Sequence, residues 1–293
     1  MDYYNEIKEE LINNEIYKKV KNYSKNRSDL NTYYKVGKLL SEAGKHYGEG
    51  IIKNYSIKLT KDLGKGYSIP NLKKMRQFFY LMEKGLTVSN LSWSHYIELL
   101  SLKDINKINY YIIISKEQNL SVRELRYKIK SNEYDRLDEM TKNKLIKKEE
   151  NKIEDFIKNP ILIKNSYNYN QVSEKILKQL ILEDIDNFLT ELGNDFSYIK
   201  NEYKINIGNR YNYIDLLLYN IKFNCYVVVE LKVTELKKEY LGQIELYMNY
   251  IDKNIKRIDQ DKTIGIIICK KDNKFIMEYC SDPRVYQTKY ILN

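Results

Sequence analysis

The stretches YNYIDLLLYN (211–220) and CYVVVELKV (225–233) decide how the second half of this chain folds. Both are short runs rich in branched and aromatic residues, which favour strands. A polar turn around Lys222 to Asn224 separates them, so they form an adjacent pair of strands. The second run is almost wholly apolar, which is typical of a strand buried on both faces.

Three ionisable residues interrupt these apolar strands: Asp215, Glu230 and Lys232. Glu230 and Lys232 are two positions apart, so their side chains point to the same face. Burying unpaired charge costs several kcal/mol, and a divalent cation held by carboxylates would remove that cost. The alternative is a plain cross-strand ion pair at an exposed edge.

The flanking sequence predicts a mixed sheet covered by helices, that is, an α/β domain. Helices are expected at 171–192, ending at Gly193, and at 239–254. Strands are expected at 197–208, 263–271 and 274–280.

The first half reads as all-α. Residues 27–60 carry apolar positions at helical spacing, and further helices begin near the cap-like Ser68, Ser92 and Ser121. Cap serines followed by basic helices are typical of helix-turn-helix folds. The charged segment 138–153 is interpreted as a solvated helix or linker, which predicts domains at 1–150 and 151–293.

The composition of the chain excludes several kinds of functional site. Two histidines exclude most histidine-based metal clusters and disfavour serine–histidine hydrolysis, and three widely spaced cysteines disfavour a disulfide or zinc site. A net charge of +10 favours polyanionic partners. The sequence has no run long enough to span a bilayer and no signal-peptide pattern at its start, which predicts a cytoplasmic protein without membrane partners.

The order aspartate, hairpin, glutamate-x-lysine, helix resembles the PD-(D/E)XK nuclease signature. The blocks YYKVGKLLSEA (33–43), LSWSHYIELL (91–100) and CYVVVELKVTELKKEYLGQIELYMNYID (225–252) are similar to the bacterial YhcG-like, or DUF1016, proteins. The resemblance implies a restriction-endonuclease-like fold and phosphodiester hydrolysis in DNA. Ile214 stands where the superfamily has proline.

The resemblance also implies roles for single residues. Asp215, Glu230 and the carbonyl of Leu231 would bind Mg²⁺ or Mn²⁺, and Lys232 would orient or activate water and stabilise charge at the phosphate. Gln243 and Tyr247, four apart on one helix face, resemble a motif that supports the site and DNA; Tyr247 is otherwise a core residue. A helix glutamate often joins such sites, and Glu174, Glu183 and Glu191 are the candidates.

Two basic helices in the first half are candidate DNA contacts. One carries Lys73, Lys74 and Arg76, and the other carries Arg123 and Arg126. A solvated basic face is the alternative. The sequence leaves open RNA as substrate, a homodimer, and a catalytically silent DNA-binding or adaptor protein on a nuclease fold.

Overall fold

The computed structural model describes residues 3–20, 25–48, 50–86, 89–147, 149, 152, 155, 157–193 and 195–293. The chain divides into two compact units, Met1–Tyr134 and Asp135–Asn293. The division comes earlier than the predicted boundary after residue 150. The reason lies in side chains that pair within the second unit: the buried Arg136 bonds to Glu191, and Lys144 lies 2.8 Å from Asp155.

The described part of the first unit contains helices and no strand, so the all-α prediction is confirmed. The helices are α1 Tyr3–Val20, α2 Lys25–Tyr47, α3 Ile51–Leu63, α4 Ile69–Glu83, α5 Trp93–Leu99, α6 Ile105–Glu117 and α7 Val122–Lys130. Ser68, Ser92 and Ser121 are the N-cap residues of α4, α5 and α7.

Ser121 forms a full capping box. Its hydroxyl accepts from the Glu124 N–H at 3.3 Å, and the Glu124 carboxylate accepts from the Ser121 N–H at 2.7 Å. Two backbone donors that no helical carbonyl reaches are thereby satisfied. The start of α7, predicted from the serine alone, is therefore fixed locally.

The second unit is a six-stranded mixed sheet with helices on both faces, which confirms the predicted class. Its elements are α8 Glu139–Lys147, β1 Ile161–Ile163, α9 Glu174–Glu183, α10 Ile185–Leu192, β2 Phe196–Ile207, β3 Arg210–Asn220, β4 Cys225–Glu235, α11 Lys238–Asn254, β5 Ile264–Lys271, α12 Lys274–Glu278 and β6 Val285–Leu292. The strand order is β1-β6-β5-β4-β3-β2. Strands β4, β5, β6 and β1 pair in parallel, and β2, β3 and β4 pair antiparallel.

Helices α9 and α10 cover one face of the sheet, and α11 covers the other. Val227 and Val229 of β4 pack into the core on the first side. Val228 lies in the core on the second side, where Ile244 and Met248 of α11 also lie. Apolar residues on both sides explain why β4 reads as a continuous apolar run.

Two local predictions were wrong. The single helix expected at 171–192 is broken at Asp184, whose φ of −135° and ψ of 48° leave the helical region. The strand expected at 274–280 is instead the short helix α12, because the Asn273 side chain caps it by accepting from the Ile276 N–H at 3.3 Å. The predicted end at Gly193 is confirmed: its N–H bonds to Leu189 and its φ is 135°.

Candidate active site

The three ionisable residues lie where β3 and β4 separate. The antiparallel pairing of these strands runs from Asn220–Cys225 to Leu216–Val229 and goes no further. The next residue on one strand is Asp215, and the next on the other is Glu230. We call this place the fork. Backbone groups that the ladder would pair are free here to bond to side chains.

Each carboxylate in the fork accepts a hydrogen bond from a backbone N–H of the opposite strand. The Leu231 N–H donates to Oδ2 of Asp215 at 3.0 Å, and the Asp215 N–H lies 3.4 Å from Oε1 of Glu230. Two acids fifteen positions apart in sequence are therefore brought together, as the sequence pattern predicted. Their orientation is fixed by the strands that carry them.

Lys232 pairs with Glu230 on the same strand. Its Nζ lies 3.1 Å from Oε2 of Glu230, as expected for side chains two positions apart on one face. Glu230 is 2% exposed and Lys232 is 7% exposed. A pair this deeply buried is not the exposed ion pair at a sheet edge that the sequence left open as the alternative.

The buried position shifts the titration of both groups. Burial, with the neighbouring Asp215 charge, raises the pKa of Glu230 to about 7, although Lys232 opposes the shift. Burial alone would lower the pKa of Lys232, but the charge of Glu230 and the hydrogen bond to it outweigh that effect and raise the pKa. Lys232 is therefore an ammonium donor at neutral pH.

Sequence reasoning missed Lys178 of α9. Its Nζ lies 3.0 Å from Oδ1 of Asp215 and 3.0 Å from Oε1 of Glu202 on β2. The signal available was its spacing from Glu174, since residues four apart share a helix face. Nothing in the sequence pattern, however, indicates that this face of α9 reaches the fork.

The three candidate glutamates have different surroundings. The negative charge of Glu174 contributes to the raised pKa of Lys232. Glu183 is exposed and bonds to Tyr167 and Gln179. Glu191 is buried and engaged by Arg136 and the Leu162 N–H. Glu174 therefore differs from Glu183 and Glu191 in acting electrostatically on a fork residue, a distinction that spacing could not make.

Gln243 and Tyr247 of α11 form a pair beside the fork. The Gln243 amide donates to the Tyr247 hydroxyl at 3.0 Å. Tyr247 is 4% exposed, which agrees with the packing interpretation rather than an exposed contact to DNA. Burial raises its pKa, and the charges of Glu230 and Asp215 act in the same direction.

Family models match both parts of the chain. A model of the YhcG PDDEXK nuclease domain matches residues 154–290, and a model of the DUF1016 N-terminal domain matches residues 7–136. Residues 154–290 therefore belong to the YhcG nuclease-domain family, and residues 7–136 belong to the DUF1016 N-terminal domain family.

One relative of the chain is the putative nuclease YhcG of Escherichia coli (strain K12), which is 24% identical over 283 residues, covering 81% of this chain and 76% of that protein. Two solved structures also align with part of the chain. A repair endonuclease from Pyrococcus abyssi is 18% identical with a TM-score of 0.30, covering 42% of this chain and 48% of that one. The EndoMS-dsDNA2 complex is 20% identical with a TM-score of 0.32, covering 43% and 48%. The chain thus spans about half the length of each.

The donors in the fork of this YhcG-like chain suit a hard cation. Among the described residues no group of three or more His, Cys, Asp or Glu side chains could hold a metal ion. Asp215 and Glu230 nevertheless offer two carboxylates, and Mg²⁺ is commonly held by one or two carboxylates together with waters and substrate phosphate oxygens. The residues present therefore fit the cation that the family implies.

The basic residues predicted to contact DNA lie on α4 and α7. Lys73 and Arg123 are exposed, and Lys74 and Arg76 are partly buried. Arg126 is half-exposed and binds Glu98 of α5 through two hydrogen bonds, at 3.0 and 2.6 Å.

Glu98 of α5 interacts with basic residues of both α4 and α7. Its pKa is lowered first by the hydrogen bond from Arg126, and also by the charges of Lys74 and Lys130. Basic residues of both α4 and α7 therefore stabilise the charged form of Glu98. By contrast Lys128, on the same helix α7, is buried and paired with Glu133 at 2.9 Å, so it belongs to the core.

No helix in the described part of the chain is both long and apolar enough to cross a membrane.

Proposed function

We propose that the second unit hydrolyses phosphodiester bonds of DNA with a divalent cation, Mg²⁺ or Mn²⁺, held by Asp215, Glu230 and the carbonyl of Leu231. The observation that carries the proposal is the fork, where two carboxylates and one ammonium group from neighbouring strands converge. The membership of residues 154–290 in a nuclease-domain family supports it.

The proposed chemistry assigns a distinct task to each side chain. A divalent cation, when bound, supplies a positive charge that makes water more acidic and offsets the charge that develops on phosphate. Asp215 and Glu230 hold that cation through oxygen atoms. Lys232, kept protonated by Glu230, donates a hydrogen bond to the attacking water or to a phosphate oxygen.

Two further side chains orient the fork in this proposal. Lys178 holds Oδ1 of Asp215 and so limits the rotamers of that carboxylate. Gln243, bonded to Tyr247, holds a polar group beside Glu230 on the α11 side. Both are positioning residues, and neither is assigned a proton to transfer.

The helical unit is proposed to hold the DNA. Lys73, Lys74 and Arg76 of α4 and Arg123 of α7 would contact phosphates, which supply most of the sequence-independent affinity. Arg126 reaches DNA only if it leaves its bidentate bond to Glu98.

A cleavage panel tests the proposal. The full chain is incubated with duplex, branched and single-stranded DNA, and with single-stranded RNA, in Mg²⁺, Mn²⁺ or EDTA, beside Asp215→Ala, Glu230→Ala and Lys232→Ala. Cleavage is expected in Mg²⁺ or Mn²⁺, and a loss of at least about 100-fold is expected in each variant. The exposed Glu278→Ala is the matched control and should cleave normally.

Three results would overturn the proposal. Retained cleavage in both acid variants would separate the activity from the fork. Cleavage of RNA alone would replace the substrate. Tight DNA binding without cleavage of any substrate would establish the silent binding protein instead.

A further inference from the structure

The second unit has a cavity beside the fork that the proposed chemistry does not use. It has a volume of about 810 Å³ and lies where the loop 165–172 meets Val233, Lys270 and Leu292. These three residues lie at or near the carboxyl ends of the parallel strands β4, β5 and β6. In open α/β sheets ligands bind outside these ends, and about 300–1,000 Å³ is the usual size of a ligand site.

The loop that lines the cavity offers amide groups. The side chains of Asn168, Asn170 and Gln171 are exposed and make no hydrogen bond to any part of the chain that the structure describes. Each amide offers both donors and acceptors, as the polar edge of a nucleobase does.

The loop is held in shape from within. The side chain of Asn165 bonds to both backbone groups of Tyr169, donating to its carbonyl at 3.0 Å and accepting from its N–H at 3.0 Å. The backbone N–H of Asn165 donates to the Asn293 carbonyl at 2.8 Å. The amides are thus presented by an ordered loop, which lowers the entropy cost of binding.

Aromatic and basic groups complete the lining. Tyr169 lines the cavity, and its ring lies 5.4 Å from the exposed ring of Tyr167 at 34°. Tyr290 lines it from β6. Lys270 is exposed and has no carboxylate partner within the described part of the chain, and none of the lining residues is acidic. Aromatic rings, amides and a free ammonium group suit a base, its polar edge and its phosphate.

The position of the cavity indicates what kind of nucleotide fits. Val233 directly follows Lys232 in β4, so the two side chains point to opposite faces of the sheet. The loop 165–172 leads into α9, whose Lys178 lies 3.0 Å from Oδ1 of Asp215, so the cavity and the fork are close neighbours. A base whose backbone runs through the fork reaches the cavity only by leaving the helical stack.

We propose that this cavity binds one unpaired nucleotide of the DNA substrate, next to the phosphate that is cleaved in the fork. The inference rests on the proposed nuclease function and adds a preference for DNA with an unpaired base. The amides of Asn170 and Gln171 contact the base, and Lys270 contacts its phosphate.

Binding measurements without cleavage test this. The full chain is titrated in EDTA against a labelled duplex with one bulged 2-aminopurine and against the same duplex fully paired. Anisotropy gives the two Kd values, and 2-aminopurine fluorescence reports the environment of the base. The wild-type chain should bind the bulged duplex at least about fivefold more tightly, the lower end for one stacked base.

Variants identify the cavity as the source of that preference. The double variant Asn170→Ala with Gln171→Ala, and separately Lys270→Glu, should reduce the ratio to below about twofold and abolish the fluorescence change. Lys253→Ala, an exposed lysine at the far end of α11, is the matched control and should keep the ratio. Circular dichroism confirms that each variant is folded.

The results separate this inference from the function it rests on. Equal Kd values for the two duplexes in wild type, or an unchanged ratio in the cavity variants, would overturn the cavity while Mg²⁺-dependent cleavage still stands. A preference that the variants abolish, in a chain that cleaves nothing with Mg²⁺, would support the cavity and refute the nuclease.

Discussion

Replacing Glu191 with alanine should destabilise the second unit severely without touching the fork. Glu191 is 2% exposed, accepts from Nη2 of Arg136 at 3.1 Å and from the Leu162 N–H at 3.0 Å, and also binds Nη1 of Arg136. The substitution leaves a buried guanidinium without its counter-charge and a strand N–H without an acceptor. Breaking a buried ion pair in this way costs about 3–5 kcal/mol.

The assay is urea unfolding followed by far-UV circular dichroism, together with a thermal scan. For a unit of this size, 3–5 kcal/mol corresponds to a fall of roughly 6–20 °C in Tm. Glu183→Ala is the matched control, because Glu183 is exposed and bonds only to Tyr167 and Gln179 among the contacts described. Its effect should stay within about 0.5 kcal/mol.

A double variant separates the ion pair from simple loss of volume. Arg136→Met with Glu191→Leu replaces the charges by apolar side chains of similar size, and such replacements are often neutral. The double variant should therefore be more stable than Glu191→Ala. The reasoning fails if Glu191→Ala loses no more stability than Glu183→Ala, or if the double variant is as unstable as the single one.

Three further predictions concern packing, the fork and acid stability. Gly37→Ala should lower the free energy of unfolding by at least about 1–3 kcal/mol, because a Cβ there would lie 2.2 Å from the Met75 carbonyl oxygen. Urea unfolding followed by Trp93 fluorescence measures this loss. Gly242→Ala is the control, because nothing lies within 4 Å of its Cβ position, and it should be neutral or stabilising by up to about 1 kcal/mol. Lys178→Met should tighten Mn²⁺ binding about fivefold or more, measured by electron paramagnetic resonance, because it removes an ammonium group 3.0 Å from Oδ1 of Asp215; unchanged or weaker binding would contradict this. The hydrogen bonds from Arg284 hold the pKa of Asp282 below its usual range. The stability that Asp282 contributes is therefore complete above about pH 4, the ordinary aspartate value, and is lost as the pH falls through the lowered pKa. In Asp282→Asn the free energy of unfolding should depend less on pH in this acid range.

The sequence by itself determined the sheet class and the three residues that meet in the fork. The apolar runs of strand length at 211–220 and 225–233 can be recognised from the local sequence, because a strand buried on both faces has few polar positions. Asp215, Glu230 and Lys232 stand out against that background, and side-chain alternation alone places Glu230 and Lys232 on one face. These conclusions need only neighbours within one hairpin.

Sequence failed where an element depends on a distant partner. The strand β6, VYQTKYIL (285–292), mixes polar and apolar residues and was not predicted, since its place between β5 and β1 is set by parallel pairing with both. The segment 274–280 has the apolar content of a strand, yet the cap from Asn273 makes it begin as a helix.

Only the tertiary structure decided which groups surround the fork. Lys178, Glu174 and Glu191 all lie on helices with similar amphipathic patterns, and spacing within a helix reports which residues share a face but not what that face meets. Packing of α9 against the sheet brings Lys178 to Asp215. Packing of α10 buries Glu191 in an ion pair with Arg136. The cavity beside the fork is likewise built from three strand ends and a loop, and such a meeting of separate segments has no signature in any one of them.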